Sequence, residues 1–270
     1  MKELRLIFII LISFFGIIYL IYVSYIYFNQ AAMVFVASKL PKEYKFDFSQ
    51  NFEEKTITSF DGAKLNGLLF KVSNPKGLIF YLHGNAGSID SWGNNAKIYT
   101  DLDYDIFFLD YRGYGKSEGQ IENQKQIYKD ITYAYANLIS KYDKNKTIII
   151  GYSIGTGLAT YLASIEQPKM LILQAPYYNF TEFTKTRVPF FPDFLKKFSF
   201  ETNKYIAGVK SPIYIFHGNN DELIPIENSF RLQRLMKPTD SLYKLENQGH
   251  LGMNENVDYQ NKLQILLKSN

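Results

Sequence analysis

Read for apolar and polar positions alone, the 270-residue chain has a long apolar head followed by short apolar runs alternating with amphipathic segments. Leu6 to Ser38 contains no charged residue, and Leu6 to Phe28 is almost wholly apolar or aromatic. As a helix those 23 residues span about 34 Å, enough to cross a hydrocarbon core of ~30 Å. Residues 29–51, with Pro41 and interspersed charges, read as a juxtamembrane linker. Phe52 to Ser59 and Leu65 to Val72 alternate around Asp61-Gly62 and predict a hairpin. Gly77 to His83 (GLIFYLH) and Tyr104 to Leu109 are continuous apolar runs, the pattern of strands covered on both faces. Ile148 to Ile150, Met170 to Ala175, Pro212 to Phe216 and Ser241 to Glu246 add further strands. Helices are expected over Ser88 to Thr100, after Ser153, and over Ile226 to Met236 and Glu255 to Lys268. Ile121 to Tyr142 is a longer one, with Ile127, Ile131, Tyr135 and Leu138 on one face. Strands alternating with helices from residue 77 onward predict an α/β fold with a mostly parallel, doubly wound sheet. The expected division is an anchor over 1–28, a linker over 29–51 and a globular domain over 52–270.

One interval breaks the alternation. More than thirty residues separate the strand ending at Ala175 from the one starting at Pro212. Within 178–205, nine of 28 residues are Phe or Tyr, about twice the average of the chain. An insertion of this kind at the carboxyl end of a sheet predicts a short aromatic lid, with Tyr178, Phe180 and Phe183 as candidate substrate-binding residues.

Composition changes this picture in two places. The absence of cysteine excludes a disulfide scaffold, thiolate metal sites and a cysteine nucleophile. The net charge of +4 is uneven: residues 1–45 carry +3, and the remaining 225 residues hold 25 basic against 24 acidic side chains. The globular part therefore lacks the basic footprint of a nucleic-acid binder. The apolar stretch exceeds the ~7–15 residues of a cleaved signal core, and its second half clusters Tyr19, Tyr22, Tyr25 and Tyr27 as an interfacial belt would. An uncleaved signal-anchor is expected, contacting the bilayer through residues 6–28. Lys2 and Arg5, tight against its amino end, favour that end inside and the domain outside the cytoplasm.

Candidate chemistry centres on Thr147 to Ser164, TIIIGYSIGTGLATYLAS. It holds G-x-S-x-G between a strand and a helix, the context that gives the motif meaning. Such a turn strains its hinge residue, and Gly151 and Gly155 flank Ser153 because a Cβ there would clash. A serine hydroxyl needs a base oriented by a third group. The three histidines, His83, His217 and His250, all fall just after strands. The order Ser153, Asp221, His250 matches nucleophile, acid and base in one known architecture, with Glu222 as the alternative acid. The Gly-rich turn HGNAGS at 83–88 would present backbone N–H groups, Asn85 supplying one oxyanion donor and Ile154 the other. No Walker lysine, G-x-G-x-x-G or ribose-binding acid accompanies it, and no metal or organic cofactor is expected.

HGNAGS, DYRGYGKSEG at 110–119, GYSIG, HGNNDELIP at 217–225 and GH at 249–250 together resemble the α/β-hydrolase superfamily. More narrowly they are similar to its small membrane-anchored, prolyl-oligopeptidase-like serine hydrolases, over about residues 55–268. The resemblance implies Ser153 as nucleophile, Asp221 as acid, His250 as base and HGNAG as oxyanion loop. It also implies that Asp110, Arg112 and Ser117 order a loop. Some eukaryotic members remove fatty acyl groups from protein cysteines and carry a cysteine-rich amino terminus. This chain has a hydrophobic helix there instead. The expected activity is cleavage of an ester, thioester or related acyl bond on an apolar substrate near the membrane. A peptidase or amidase on the same residues, and a catalytically idle tethered binding module, are the alternatives.

Overall fold

The computed structural model describes residues 1–268. Its first element, α1 (Lys2–Val34), is a single helix of 33 residues, long and apolar enough to cross a membrane. A helix satisfies every backbone N–H and C=O internally, so so apolar a segment adopts it with no packing partner. The helix continues beyond the stretch read as anchor, because Gln30, Ala31, Ala32 and Met33 favour helix and Gln30 finds partners in the body of the protein. Residues 36–37, inside the stretch read as linker, pair in parallel with residues 86–87 of the HGNAGS turn.

Eight strands form the main sheet: β1 (Phe52–Thr58), β2 (Lys64–Phe70), β3 (Gly77–Leu82), β4 (Tyr104–Leu109), β5 (Thr147–Tyr152), β6 (Met170–Gln174), β7 (Ile213–Gly218) and β8 (Ser241–Leu245). Their spatial order is β1-β2-β4-β3-β5-β6-β7-β8. The hairpin β1–β2 and the β2–β4 contact are antiparallel, and every other pairing is parallel. The central strands are buried on both faces, which explains their continuous apolar runs. Along β3, Leu78, Phe80 and Leu82 join one apolar layer while Ile79 and Tyr81 join the other. The first layer is roofed by α2 (Gln124–Ile139) and α3 (Ile154–Glu166), the second by helical segments at 89–100 and by the last helix, Val257–Lys268.

The helix expected over Ser88 to Thr100 is broken. Ile89–Trp92 and Ala96–Thr100 are helical, joined by a tighter turn at Gly93–Asn95. A glycine and two asparagines are poor helix formers. Phe48 also packs so closely that a Cβ on Gly93 would stand 2.5 Å from its ring. Between β6 and β7 the chain builds the expected insertion, with α4 (Phe180–Lys185) and further short turns.

Candidate active site

Strand β5 passes into α3 through a single residue, Ser153, whose backbone is held at φ 52° and ψ −118°. Such a conformation costs a non-glycine residue about 1–3 kcal/mol, met here by the surrounding packing. The Ser153 N–H donates to Gln174 O across the sheet at 2.9 Å, and the Thr156 N–H donates to Ser153 O at 2.9 Å. The flanking glycines are required by contact. A Cβ on Gly155 would stand 2.1 Å from Leu82 O, and one on Gly151 2.5 Å from Gly155 O. The turn thus presses α3 against the end of β3 and lifts Ser153 Oγ above the sheet at the positive end of a helix.

Two loops from the far side of the sheet reach that hydroxyl. His250 lies after β8, and its Nε2 is 3.0 Å from Ser153 Oγ. Its Nδ1 is 2.7 Å from Asp221 Oδ2, in the loop after β7. With Nδ1–H donating to the carboxylate, Nε2 is left as an acceptor for the serine proton. Tyr152 OH donates to the His250 carbonyl and holds that loop. Asp221 Oδ1 accepts the N–H groups of Leu223 (3.0 Å) and Ile224 (2.8 Å). Burial by itself would raise this carboxyl, but hydrogen bonds from His217, His250 and the Ile224 N–H outweigh it and hold the group well below the ordinary carboxylate range. Glu222, the other candidate acid, points to solvent.

The remaining histidines are fully buried and act as braces. His217 Nε2 lies 2.8 Å from Ile224 O and 3.3 Å from Asp221 Oδ2, while its Nδ1 is 2.6 Å from Ser229 Oγ. It fixes the acid loop from behind. His83 Nδ1 lies 2.7 Å from Gly84 O, and its ring stacks among Trp92, Tyr111 and Tyr114. In a trans peptide the N–H points opposite to the C=O, so pinning the Gly84 carbonyl aims the Asn85 N–H the other way. Tyr111 OH donates to His83 O, Tyr114 OH and the Val36 N–H to Asn85 O, and Trp92 Nε1 to Ala86 O. The whole turn is therefore held by its carbonyls. Among the described residues neither the Asn85 nor the Ile154 N–H has a hydrogen-bond acceptor. The sequence places His83 and His217 after strands and assigns their side chains no role. Both act through partners remote in the chain or through a single peptide plane, which no local pattern reveals.

A cavity of about 200 Å³ opens at Ser153, with Asn85 and Ile154 in its wall. Phe180 and Phe183 line it, as do Tyr177, Phe191 and Phe198. Tyr178 does not: its ring lies under the Arg231 guanidinium, 3.6 Å from it, and its N–H is held by Asn228. This corrects the expectation for Tyr178. The chain enters α4 with the preceding side chain, Tyr177, turned inward instead. The lining includes no Asp or Glu, and its two cations are Arg187 and Lys196. Among the described residues no group of three or more His, Asp or Glu is placed to hold a metal ion.

The loop-ordering residues form a separate, buried set. Arg112 donates to Asp130 through Nε (2.6 Å) and Nη2 (2.8 Å), and to Asp61 at 2.6 Å. Ser117 Oγ donates to Asp110 O and accepts the Asn66 N–H. Asp110 stands 3.6 Å from His83, and burial raises its carboxyl above the ordinary range.

The chain is similar to known proteins. The family described as serine aminopeptidase, S33, matches residues 73–207, a stretch that takes in the HGNAGS turn and Ser153 and stops before Asp221 and His250. Alpha/beta hydrolase domain-containing protein 17B of Xenopus tropicalis is 32% identical over 187 residues, covering 66% of this chain and 61% of that protein. Lysophosphatidylserine lipase ABHD12 of Danio rerio is 29% identical over 194 residues, covering 64% and 50%. The chain thus spans between half and about three-fifths of these curated relatives. Among solved structures, an esterase of Pyrococcus furiosus superimposes with a TM-score of 0.69 at 18% identity, over 86% of this chain and 97% of that one.

Proposed function

The chain belongs to the α/β-hydrolase superfamily, and from that premise we propose that it is a serine hydrolase cleaving a carboxylic ester, thioester or related acyl bond through an acyl-enzyme. The observation that carries this reading is the continuous relay Ser153 Oγ–His250–Asp221, with contacts of 3.0 and 2.7 Å. His250 Nε2 removes the Ser153 proton as Oγ adds to the substrate carbonyl. Asp221 stays ionised and stabilises the imidazolium. The oxyanion is received by the N–H groups of Asn85 and Ile154, each donor contributing about 3 kcal/mol to the transition state. His250 then hands its proton to the leaving group and afterwards activates the water that frees the acid. The apolar lining favours an acyl group over a polar one. The helix α1 favours a substrate at a membrane surface, with the domain on the outer side.

The test is direct. A fluorophosphonate probe is expected to label the protein, and Ser153→Ala to abolish labelling and reduce turnover of p-nitrophenyl esters by at least about a thousandfold. A folded wild-type protein that takes up no probe would sink the reading.

The family description supports an aminopeptidase as a second reading. A site for a free α-ammonium needs a carboxylate to pair with it. The cavity wall supplies none, and of its two cations Arg187 would repel that group while Lys196 is paired with Asp193. Esters are therefore expected to turn over far faster than aminoacyl p-nitroanilides, and the reverse order would favour the peptidase.

A further inference from the structure

The amino-terminal helix is joined to the lid along much of its length. Tyr19 OH donates to Phe190 O at 3.0 Å and Tyr22 OH to Pro189 O at 2.6 Å. Gln30 Nε2 donates to Leu195 O at 3.0 Å, and Gln30 Oε1 accepts the Lys197 N–H at 2.8 Å. Gln30 is only 8% exposed, a buried polar side chain in an apolar helix, and both ends of its amide are satisfied by the lid backbone. Beyond these contacts the helix is exposed: no residue of its most apolar stretch is buried by protein.

The helix also enters the walls of two cavities. Ile26, Gln30, Met33 and Val34 line the one that contains Ser153. Phe15, Ile18, Tyr19 and Tyr22 line a second, open one between α1 and the lid. The two share Ile26, Met33, Arg187 and Val188, so they are consecutive. Positions 15, 18, 19, 22, 26, 30 and 33 recur at three and four residues and make one stripe on the helix face. From Phe15 to Met33 that stripe covers about 27 Å. At the lid tip Phe190 and Phe194 are 87% and 86% exposed, and Phe190 lines the open cavity beside the stripe of α1. Aromatic side chains so placed suit a bilayer interface better than water.

We propose that α1 is part of the substrate site as well as a tether: the groove between α1 and the lid holds the fatty acyl chain of a bilayer lipid and guides it to Ser153 without passage through water. The occupant follows from the two ends of the track. One end opens on a helix face built for hydrocarbon, the other on a nucleophile, and the wall between is apolar and aromatic. Each methylene drawn through water would cost free energy that a continuous apolar wall avoids. The lid is held against α1 in register, so the stripe stays aligned with the cavity.

The inference rests on the serine-hydrolase reading for the identity of the reacting bond, and on α1 lying in a bilayer. Its test uses the full-length protein in phosphatidylcholine vesicles. Met33→Trp, at the junction of the two cavities, is expected to lower the ratio of kcat/KM for hexadecanoyl over butanoyl esters by at least about tenfold. Ile17→Trp, on the opposite, exposed face of α1 and in neither cavity wall, is expected to leave that ratio at the wild-type value. In a second arm, a hexadecanoic acid analogue carrying a terminal diazirine is photolysed with the Ser153→Ala protein. Cross-links are expected within residues 15–33, competed by unlabelled long-chain lipid. An unchanged chain-length ratio in Met33→Trp, or cross-links confined to other segments, would overturn the proposal. The cross-linking arm reads occupancy alone, so a protein that binds the probe but cleaves no ester refutes the hydrolase reading and not this one.

Discussion

His83 is the residue whose role departs furthest from its position in a motif. It opens HGNAGS, yet its imidazole serves the next peptide by holding the Gly84 carbonyl at 2.7 Å. His83→Phe keeps the ring among Trp92, Tyr111 and Tyr114 and removes that bond together with the 3.6 Å approach to Asp110. Ester turnover is expected to fall by roughly tenfold to a hundredfold in kcat with KM little changed, because a misaimed oxyanion donor acts on the transition state alone. Steady-state kinetics on a p-nitrophenyl ester decides this, and a change confined to KM would contradict it. At Asp221 the sign of the pH dependence follows from the lowered carboxyl. A group held below its unfolded value stabilises the fold above that value, ~3.9, and loses the contribution as pH falls through its folded value. Asp221→Asn is therefore expected to be less stable than wild type near neutrality and to flatten the acid limb of stability against pH. Denaturant melts between pH 3 and 7, an interval spanning that ~3.9, would reveal either result.

At the scale of elements, the buried ion set around Arg112 joins three pieces that are remote in sequence. Asp61 lies in the β1–β2 turn, Asp130 on α2, and Arg112 in the loop after β4, with Ser59 Oγ also donating to Asp130. Hydrogen bonds donated to the Asp130 and Asp61 carboxylates keep the guanidinium charged beyond its already high ordinary value. Arg112→Leu would leave Asp130 buried without its cation, and a loss of about 3–5 kcal/mol in unfolding free energy is expected. Urea titration measures it, and a loss under about 1 kcal/mol would show the set to be dispensable. Sequence reading placed Asp110, Arg112 and Ser117 as loop-ordering residues, and the contacts agree. It could not place the partners, because Asp130 sits in an amphipathic helix whose apolar stripe says nothing of a buried carboxylate opposite an arginine.

The whole molecule connects its apolar head to its chemistry. Just past α1, the Val36 N–H donates to Asn85 O at 2.9 Å, and residues 36–37 pair with 86–87. The chain leaving α1 is thus paired with the turn proposed to hold the oxyanion. Val36→Pro removes that donor. It is expected to lower kcat several-fold while leaving flotation with vesicles unchanged, which a bare tether would not predict. Retained kcat would separate the two functions.

The strands, the hinge at Ser153 and the order of the three catalytic candidates were legible in the chain because they are local. An apolar run marks a doubly covered strand, a strand meeting a helix marks a strained turn, and chain order survives any folding. Ser153 and His250 meet across 97 residues, and His250 and Asp221 across 29. Which histidine completes the relay therefore depends on the order of β5, β6, β7 and β8 in the sheet. The same holds for Tyr177 in place of Tyr178, and for the face of α1 that meets the lid. A uniformly apolar helix presents no stripe to distinguish by hydrophobicity, so only packing against residues 189–197 selects one. The chemistry available to this protein was written in its local patterns. The assembly that brings the apolar helix α1, the residue 178–205 insertion and a strained serine to one cavity was settled by contacts between residues far apart in the chain.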